Sequence, residues 1–472
     1  MTDGRRAASE APGAGFLSGI IEGFYGPPWS RSERLELVDM MAASGLNTYL
    51  YAPKDDLKHR ARWREAYSPE EAEALGALIE ACVRRGLRFV YALAPGLDMR
   101  FSLESELGCL RARVEQMLAL GCEHFGLLFD DIPDEMDSGD AARWGSLASA
   151  HCGVSNALAL WTRERQPGAR FLFCPTPYCG RMADAQLGGR GYLETVGREL
   201  APDIDVCWTG PEIVSREITV AHVRAVGQVL RRRPLIWDNL HANDYDGRRF
   251  YCGPYAGRPP ELRGEVAGIL VNPNNEWPLN FVPIRTFGAF VRGGGPWDAR
   301  AAYLAGMAEW LPRFRTSGPD MTLDDLVLLG DCYYLPYEEG PAAVALLESA
   351  RRLLASDPSG WGEAAAEFQQ RAGRLRDVCA RVAELHDRPL FHALGRRAWE
   401  LREEMDLLLG YVRGKREHPD VPFRSSFHLP GTYRGGLVVQ LQQLLAQRRD
   451  GTFVSAAGHH PACPSPAPRS GI

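Results

Sequence analysis

The stretch HFGLLFDDI, residues 124–132, is a short apolar run that stops abruptly in two adjacent aspartates. A run of that length and composition, bounded by polar residues, reads as a β-strand. The same design recurs along the first part of the chain. SGIIEGFYG (18–26), NTYLYAP (47–53), RFVYALAPG (88–96), RFLFCPTPYCG (170–180), DVCWTGP (205–211), PLIWDNLHAND (234–244) and VAGILVNPNNEW (266–277) each pair an apolar stem with a polar, aromatic or glycine-bearing end. Between them lie amphipathic stretches such as RSERLELVDMMAASG (31–45) and PEEAEALGALIEACVRRG (69–86), the second closing on the arginines and glycine of a helix C-terminus.

Strand and helix therefore alternate through roughly eight units over about 270 residues. Two folds satisfy such alternation: an open, doubly wound sheet and a closed eight-stranded parallel barrel. The run endings separate them. An open sheet gathers its site at one or two switch points, whereas a barrel builds it from the C-terminal ends of many strands. Here nearly all the strands end in residues able to bind or react, which predicts an α/β protein with a (β/α)8 TIM barrel over 17–295, preceded by a flexible N-terminus at 1–16. From 296 to 449 the pattern turns helical, as in TLDDLVLLGDCYYL and GEAAAEFQQRAGRLRDVCARVAELHD, predicting an α-helical bundle domain. The Pro-, Ser- and Gly-rich stretch 450–472 reads as a disordered tail, in which HHPAC (459–463) has no expected role.

Composition narrows the function classes. The 472 residues are 45% hydrophobic and 24% charged, a balance that supports a substantial core. A net charge of -6 argues against a nucleic-acid partner, and no run approaches the length of a membrane span. The N-terminus lacks the apolar core of a secretory signal, and eleven cysteines without paired spacing suit a reducing compartment; both point to a cytoplasmic location.

Asp130 and Asp131 carry the chemistry. Adjacent carboxylates resist ionising together, so one pKa is expected to rise, leaving a neutral acid beside an anion, as glycoside chemistry requires. The plainer alternative is that DDIPDE starts a helix whose dipole attracts the acids. A carboxylate-bound magnesium held by Asp55, Asp56, Asp130 and Asp131 is a third reading, weakened because His241 alone among histidines sits at a strand end. The remaining strand ends suit a sugar: Tyr25, Tyr178, Trp208 and Trp237 offer flat apolar faces, Asn239, Asp244 and Asn272 can bond hydroxyls, and Lys54 adds a donor.

Taken in order, GIIEGFYGPPW, YAPKDD, LLFDDI, CPTPYC, WTGP, WDNLHANDYD and NPNNEWPLNF resemble the motif set of glycoside hydrolase family 84, which contains protein O-GlcNAcases and related β-N-acetylglucosaminidases, some described as hyaluronidases. The resemblance implies a retaining exo-β-N-acetylglucosaminidase without cofactor or metal, in which the acetamido oxygen of the substrate attacks its own anomeric carbon. It implies that Asp130 orients the acetamido group and that Asp131 serves as acid and then base. It implies sugar-hydroxyl contacts from Gly23, Lys54, Asp244 and Asn272, places Asn239 and Tyr178 near the reacting centre, and makes Cys174, Thr209 and Trp237 the wall of the methyl pocket. The expected partner is a GlcNAc-bearing glycoconjugate or O-GlcNAc-modified protein, with a homodimer through the helical domain. A barrel that binds GlcNAc without cleaving it is the alternative.

Overall fold

The computed structural model describes residues 15–293, 295–425, 437–442, 444–448 and 452–455. Eight parallel strands close into a barrel: β1 (Leu17–Glu22), β2 (Thr48–Tyr51), β3 (Arg88–Leu93), β4 (His124–Leu128), β5 (Phe171–Cys174), β6 (Ile204–Trp208), β7 (Leu235–Asp238) and β8 (Gly268–Val271). Closure comes from β8 pairing back onto β1, with Leu17 opposite Gly268 and Ile20 opposite Val271.

Successive side chains of a strand point to opposite faces, and this chain uses both faces as core. Leu17, Ile21, Leu50, Val90, Ala92, Leu128, Leu172, Cys207, Leu235 and Leu270 form one buried cluster, the filling of the barrel. The alternate residues, among them Ile20, Tyr49, Phe89, Phe125, Phe173, Val206, Ile236 and Ile269, belong to a second cluster shared with the surrounding helices. Each such Leu or Ile, wholly withdrawn from water, contributes roughly 1.5–3 kcal/mol. The strands read as unbroken apolar runs for this reason.

Helix starts follow local chemistry. Ser30 and Glu33 form a capping box on α1 (Arg31–Ala43), and Ser68 and Glu71 form another on α2 (Pro69–Arg84), with Pro69 in the first turn. Two acids at strand ends brace the loops above them. Glu22 accepts Nε and Nη2 of Arg34, the Tyr49 phenol and the Trp29 amide. Asp238 accepts Arg258 through both oxygens and the Tyr255 phenol at 2.8 Å, in a fully buried pair.

Beyond the barrel, helices Ala299–Trp310, Leu323–Asp331, Pro341–Leu354, Gly362–Val382 and Arg388–Glu417 make the expected helical domain. It is tied to the barrel at the long segment between β7 and β8, where Cys252 and Gly253 donate to the carbonyls of Tyr333 and Tyr334, and in the loop after β8, where Glu276 pairs with Arg397 at 2.7 Å. Within the stretch 450–472, the described residues include Phe453–Ser455, paired antiparallel with Leu445–Gln447. The remainder of that stretch, HHPAC included, and residues 1–14 lie outside the described residues. No described helix is long and apolar enough to cross a membrane.

Candidate active site

At the C-terminal mouth of the barrel a cavity is lined by Gly23, Tyr25, Lys54, Asp130, Asp131, Cys174, Tyr178, Thr209, Trp237, Asn239, Asp244, Tyr245 and Asn272. Every residue singled out from the sequence as a sugar-site candidate is among them, save Trp208, whereas Asp55, Asp56 and His241 of the metal reading are not. The inward parity of the strands explains the gathering. Continuing the inward-facing series past each strand end reaches Gly23 from Ile21, Lys54 from Leu50 and Ala52, Asp130 from Leu128, Thr209 from Cys207, Asn239 from Trp237 and Asn272 from Leu270. Trp208 has the opposite parity. Its buried indole donates to His222 at 2.9 Å among the outer helices, so the sugar-facing role considered for it does not hold.

Two consecutive residues of an extended chain point to opposite sides, yet Asp130 and Asp131 line the same cavity. The backbone resolves this at Asp131, which adopts a left-handed φ of 51°, one of three non-glycine residues to do so among the described residues. That twist returns the second carboxylate to the side of the first. It also removes the helix-start reading of DDIPDE, since the next helix, Ser138–Trp144, is capped by Asp137.

The two carboxylates live in different surroundings. Asp130 is buried, and its Oδ2 accepts Lys54 Nζ at 2.5 Å. Its Oδ1 is buried without a partner. Burial alone would raise the Asp130 pKa, but the ammonium of Lys54 outweighs it and holds the carboxyl below its ordinary value. The expectation that repulsion between the neighbours lifts one of them is thus corrected for Asp130, because Lys54 supplies the compensating charge. Asp131 is exposed to the cavity mouth. Tyr178 donates to its Oδ1 at 3.0 Å and Tyr25 to its Oδ2 at 2.9 Å. Burial and the charge of Asp131 push both phenols upward, so they remain protonated donors.

The rest of the wall is a graded set of acceptors and apolar surface. Asp244 accepts the Tyr25 amide at 3.0 Å through Oδ2, while its Oδ1 is buried without a partner. Burial raises its pKa, opposed by the backbone amides of Tyr25, Asp244 and Tyr245. Asn239 Oδ1 accepts Trp237 Nε1 at 3.1 Å and Asn272 Nδ2 at 3.0 Å, which leaves Asn272 Oδ1 buried and free. Cys174, its thiol pushed up by burial, and Trp237 form an apolar floor. Gly23 is required by close approach, since a Cβ there would lie 2.7 Å from the Trp237 ring.

Such a pocket offers three buried carbonyl-type acceptors and a phenol-bonded carboxylate around an apolar floor, which suits a ligand rich in O–H and N–H donors with one small apolar group. The carboxylate-metal reading finds no matching arrangement. Asp56 is taken by the Tyr51 and Tyr67 phenols at 2.8 and 2.6 Å, and His241 is buried, its Nε2 donating to the Gly253 carbonyl and its pKa lowered to about 4 by burial. Among the described residues no group of three or more His, Cys, Asp or Glu side chains is gathered for a metal.

Two neighbours escaped the sequence reading. Tyr245 lines the cavity beside Asp244 and was already inside the motif WDNLHANDYD. Arg60, in the loop after β2, donates to the Asp131 carbonyl at 2.7 Å and to the Tyr25 hydroxyl at 3.1 Å. Nothing in its local sequence marks it, because its partners are 71 and 35 positions away.

The family model for beta-N-acetylglucosaminidase matches residues 18–316, well over half the chain. Protein O-GlcNAcases of Rattus norvegicus and Mus musculus are each 46% identical over 277 residues, covering 59% of this chain and 30% of theirs. The chain thus spans less than a third of the length of those relatives. A solved structure of a mutant Thermobaculum terrenum O-GlcNAc hydrolase superposes with a TM-score of 0.76 at 28% identity, covering 84% of both chains. Motif order, barrel, cavity and similarity agree, and the chain belongs to the beta-N-acetylglucosaminidase family of glycoside hydrolases.

Proposed function

We propose that the chain is a retaining exo-β-N-acetylglucosaminidase that removes terminal β-linked GlcNAc, including O-GlcNAc on protein serine and threonine, through participation of the substrate's own acetamido group. The observation that carries the reading is the buried, unpartnered Oδ1 of Asp130, held anionic by Lys54 and set beside Asp131 over the Cys174–Trp237 floor. A carboxylate oxygen so placed accepts one N–H, and an N-acetyl group supplies that donor together with a methyl for the apolar floor.

In the first step the acetamido oxygen bonds to the anomeric carbon as the glycosidic C–O bond breaks. Asp130 accepts the acetamido N–H and offsets the positive charge that develops on the oxazoline-like intermediate. Asp131, protonated at the outset, gives its proton to the leaving oxygen, while one phenol continues to donate to its carbonyl oxygen. In the second step water adds to the anomeric carbon, the bond to the acetamido oxygen breaks, and the carboxylate of Asp131 takes the water proton. Its bonding to Tyr25 and Tyr178 suits that second, anionic state. Asp244 Oδ1 and Asn272 Oδ1 are acceptors for sugar hydroxyls, and a ligand lacking the acetamido group would leave Asp130 Oδ1 buried and unpaired.

The test is hydrolysis of 4-nitrophenyl β-N-acetylglucosaminide, with the β-glucoside as control and chelator throughout. Turnover of the acetamido sugar alone is expected. Saturable GlcNAc binding without turnover would replace the reading by that of a sugar-binding barrel. A homodimer through the helical domain belongs to the same proposal, and a monomer mass by light scattering would remove it.

A further inference from the structure

We propose that Arg60 is the positioning residue that gives Asp131 its acid–base geometry, an inference that rests on the glycosidase reading above. Asp131 reaches the cavity only because its backbone turns into the left-handed region at φ 51°, a conformation that residues bearing a side chain rarely adopt. Such a turn persists where the surroundings hold it, and the group that holds it is one guanidinium. Arg60 Nη2 donates to the Asp131 carbonyl at 2.7 Å. Nη1 donates to the Tyr25 hydroxyl at 3.1 Å, which directs the phenol's own proton to Asp131 Oδ2 at 2.9 Å. One side chain therefore fixes the backbone of Asp131 directly and its carboxylate through Tyr25.

The surroundings of Arg60 suit this task, and its guanidinium also lies over the Tyr25 ring, 5.7 Å from the ring centre. Arg60 is 8% exposed and forms no carboxylate ion pair among the described residues; its hydrogen bonds go to a carbonyl and a phenol, and its charge acts on Asp130 only at longer range, after the nearer Lys54. It is not part of the cavity wall and acts on the sugar only through Asp131 and Tyr25. Its loop is itself anchored. The neighbouring His59 accepts the Ala94 amide at 2.9 Å through its carbonyl and bonds the Ala92 carbonyl through Nδ1 at 2.7 Å, joining the loop after β2 to the end of β3. The planar fork of arginine spans two acceptors at once, which a lysine ammonium on a flexible stem does not.

Asp130 keeps its own contact with Lys54 when Arg60 is removed. The loss should therefore fall mainly on proton delivery, because Lys54 remains as the nearer charge that keeps Asp130 ionised for attack by the acetamido oxygen. The experiment measures kcat/KM, which reports cleavage of the glycosidic bond, for wild type, R60M and R60K on aryl β-N-acetylglucosaminides from 2,4-dinitrophenyl, a leaving group that needs little acid help, to 4-methoxyphenyl, which needs much. R60M is expected to lose about 100-fold or more on the methoxyphenyl glycoside and less than about 5-fold on the dinitrophenyl one, with R60K between R60M and wild type. Equal losses across the series would show a merely structural role and overturn the proposal, as would no loss at all. A crystal structure of R60M gives a readout independent of turnover. Asp131 leaving the positive-φ region supports the proposal, and Asp131 unmoved overturns it. A wild-type protein inactive on the whole series would instead overturn the glycosidase reading, and the R60M structure would still decide whether Arg60 holds Asp131.

Discussion

Replacing Lys54 by methionine tests the electrostatic core of the site, because it removes a charge while nearly preserving volume. Lys54 and Asp130 are 7% and 6% exposed and 2.5 Å apart, so neither partner has water to fall back on. Removing one member of a buried pair leaves an uncompensated charge, which costs about 3–5 kcal/mol. The sign with pH follows from the direction of the shift. In the wild type Lys54 holds the Asp130 carboxyl below its ordinary value, so the contribution of the pair is full at neutral pH and disappears as pH falls through the folded-state value. In K54M burial is opposed only by the smaller contributions of Arg60 and a backbone hydrogen bond, and it pushes the carboxyl up. The deficit relative to wild type is then largest near pH 8 and shrinks as pH falls through the raised value, where the carboxyl takes a proton and no longer needs a partner. At 1.36 kcal/mol per unit, a cost of this size moves the acid limb of kcat/KM upward by about two pH units or more, since protonated Asp130 ceases to be an anion for the acetamido N–H. Urea unfolding from about pH 5 to pH 8, paired with the pH profile on an activated aryl glycoside, reads both effects. A stability difference below about 1 kcal/mol at pH 8, or an acid limb that stays in place, would refute the account of Lys54 as the group that keeps Asp130 ionised.

Gly23→Ala sets a Cβ 2.7 Å from Trp237 and is expected to abolish measurable turnover while costing about 1–3 kcal/mol of stability; retention of wild-type KM for a GlcNAc glycoside would contradict that crowding. Asp131→Ala should lose activity most on poor leaving groups and Asp130→Ala on all leaving groups alike, so equal slopes in a leaving-group series for the two variants would refute the division of labour. Trp208→Phe, being outside the cavity, should lower the thermal midpoint and leave KM unchanged; a raised KM would return Trp208 to the site. Arg258→Met leaves Asp238 without its buried guanidinium and should cost about 3–5 kcal/mol, and denaturant unfolding with no loss would count against that bracing of β7.

The sequence by itself determined the barrel and most of the wall of its mouth. Both rest on patterns that are local and periodic: apolar stems of strand length, helix starts such as Ser68 to Glu71, and polar residues immediately after each stem. Once a stem is a barrel strand, parity carries Asp130, Thr209, Asn239 and Asn272 to the same mouth without any further information. What tertiary structure alone decided involves partners remote in the chain. Trp208 turned outward because it alternates with Cys207 and Thr209, and only the closed barrel shows which parity faces inside. The ionisation of Asp130 was decided by Lys54, 76 positions earlier, and not by the adjacent Asp131 whose repulsion the sequence displays. The left-handed turn at Asp131 and the guanidinium of Arg60 that secures it leave no signature in either local sequence. A backbone angle and a hydrogen bond across 71 positions are set by packing, which brings those atoms within reach only when the barrel has closed.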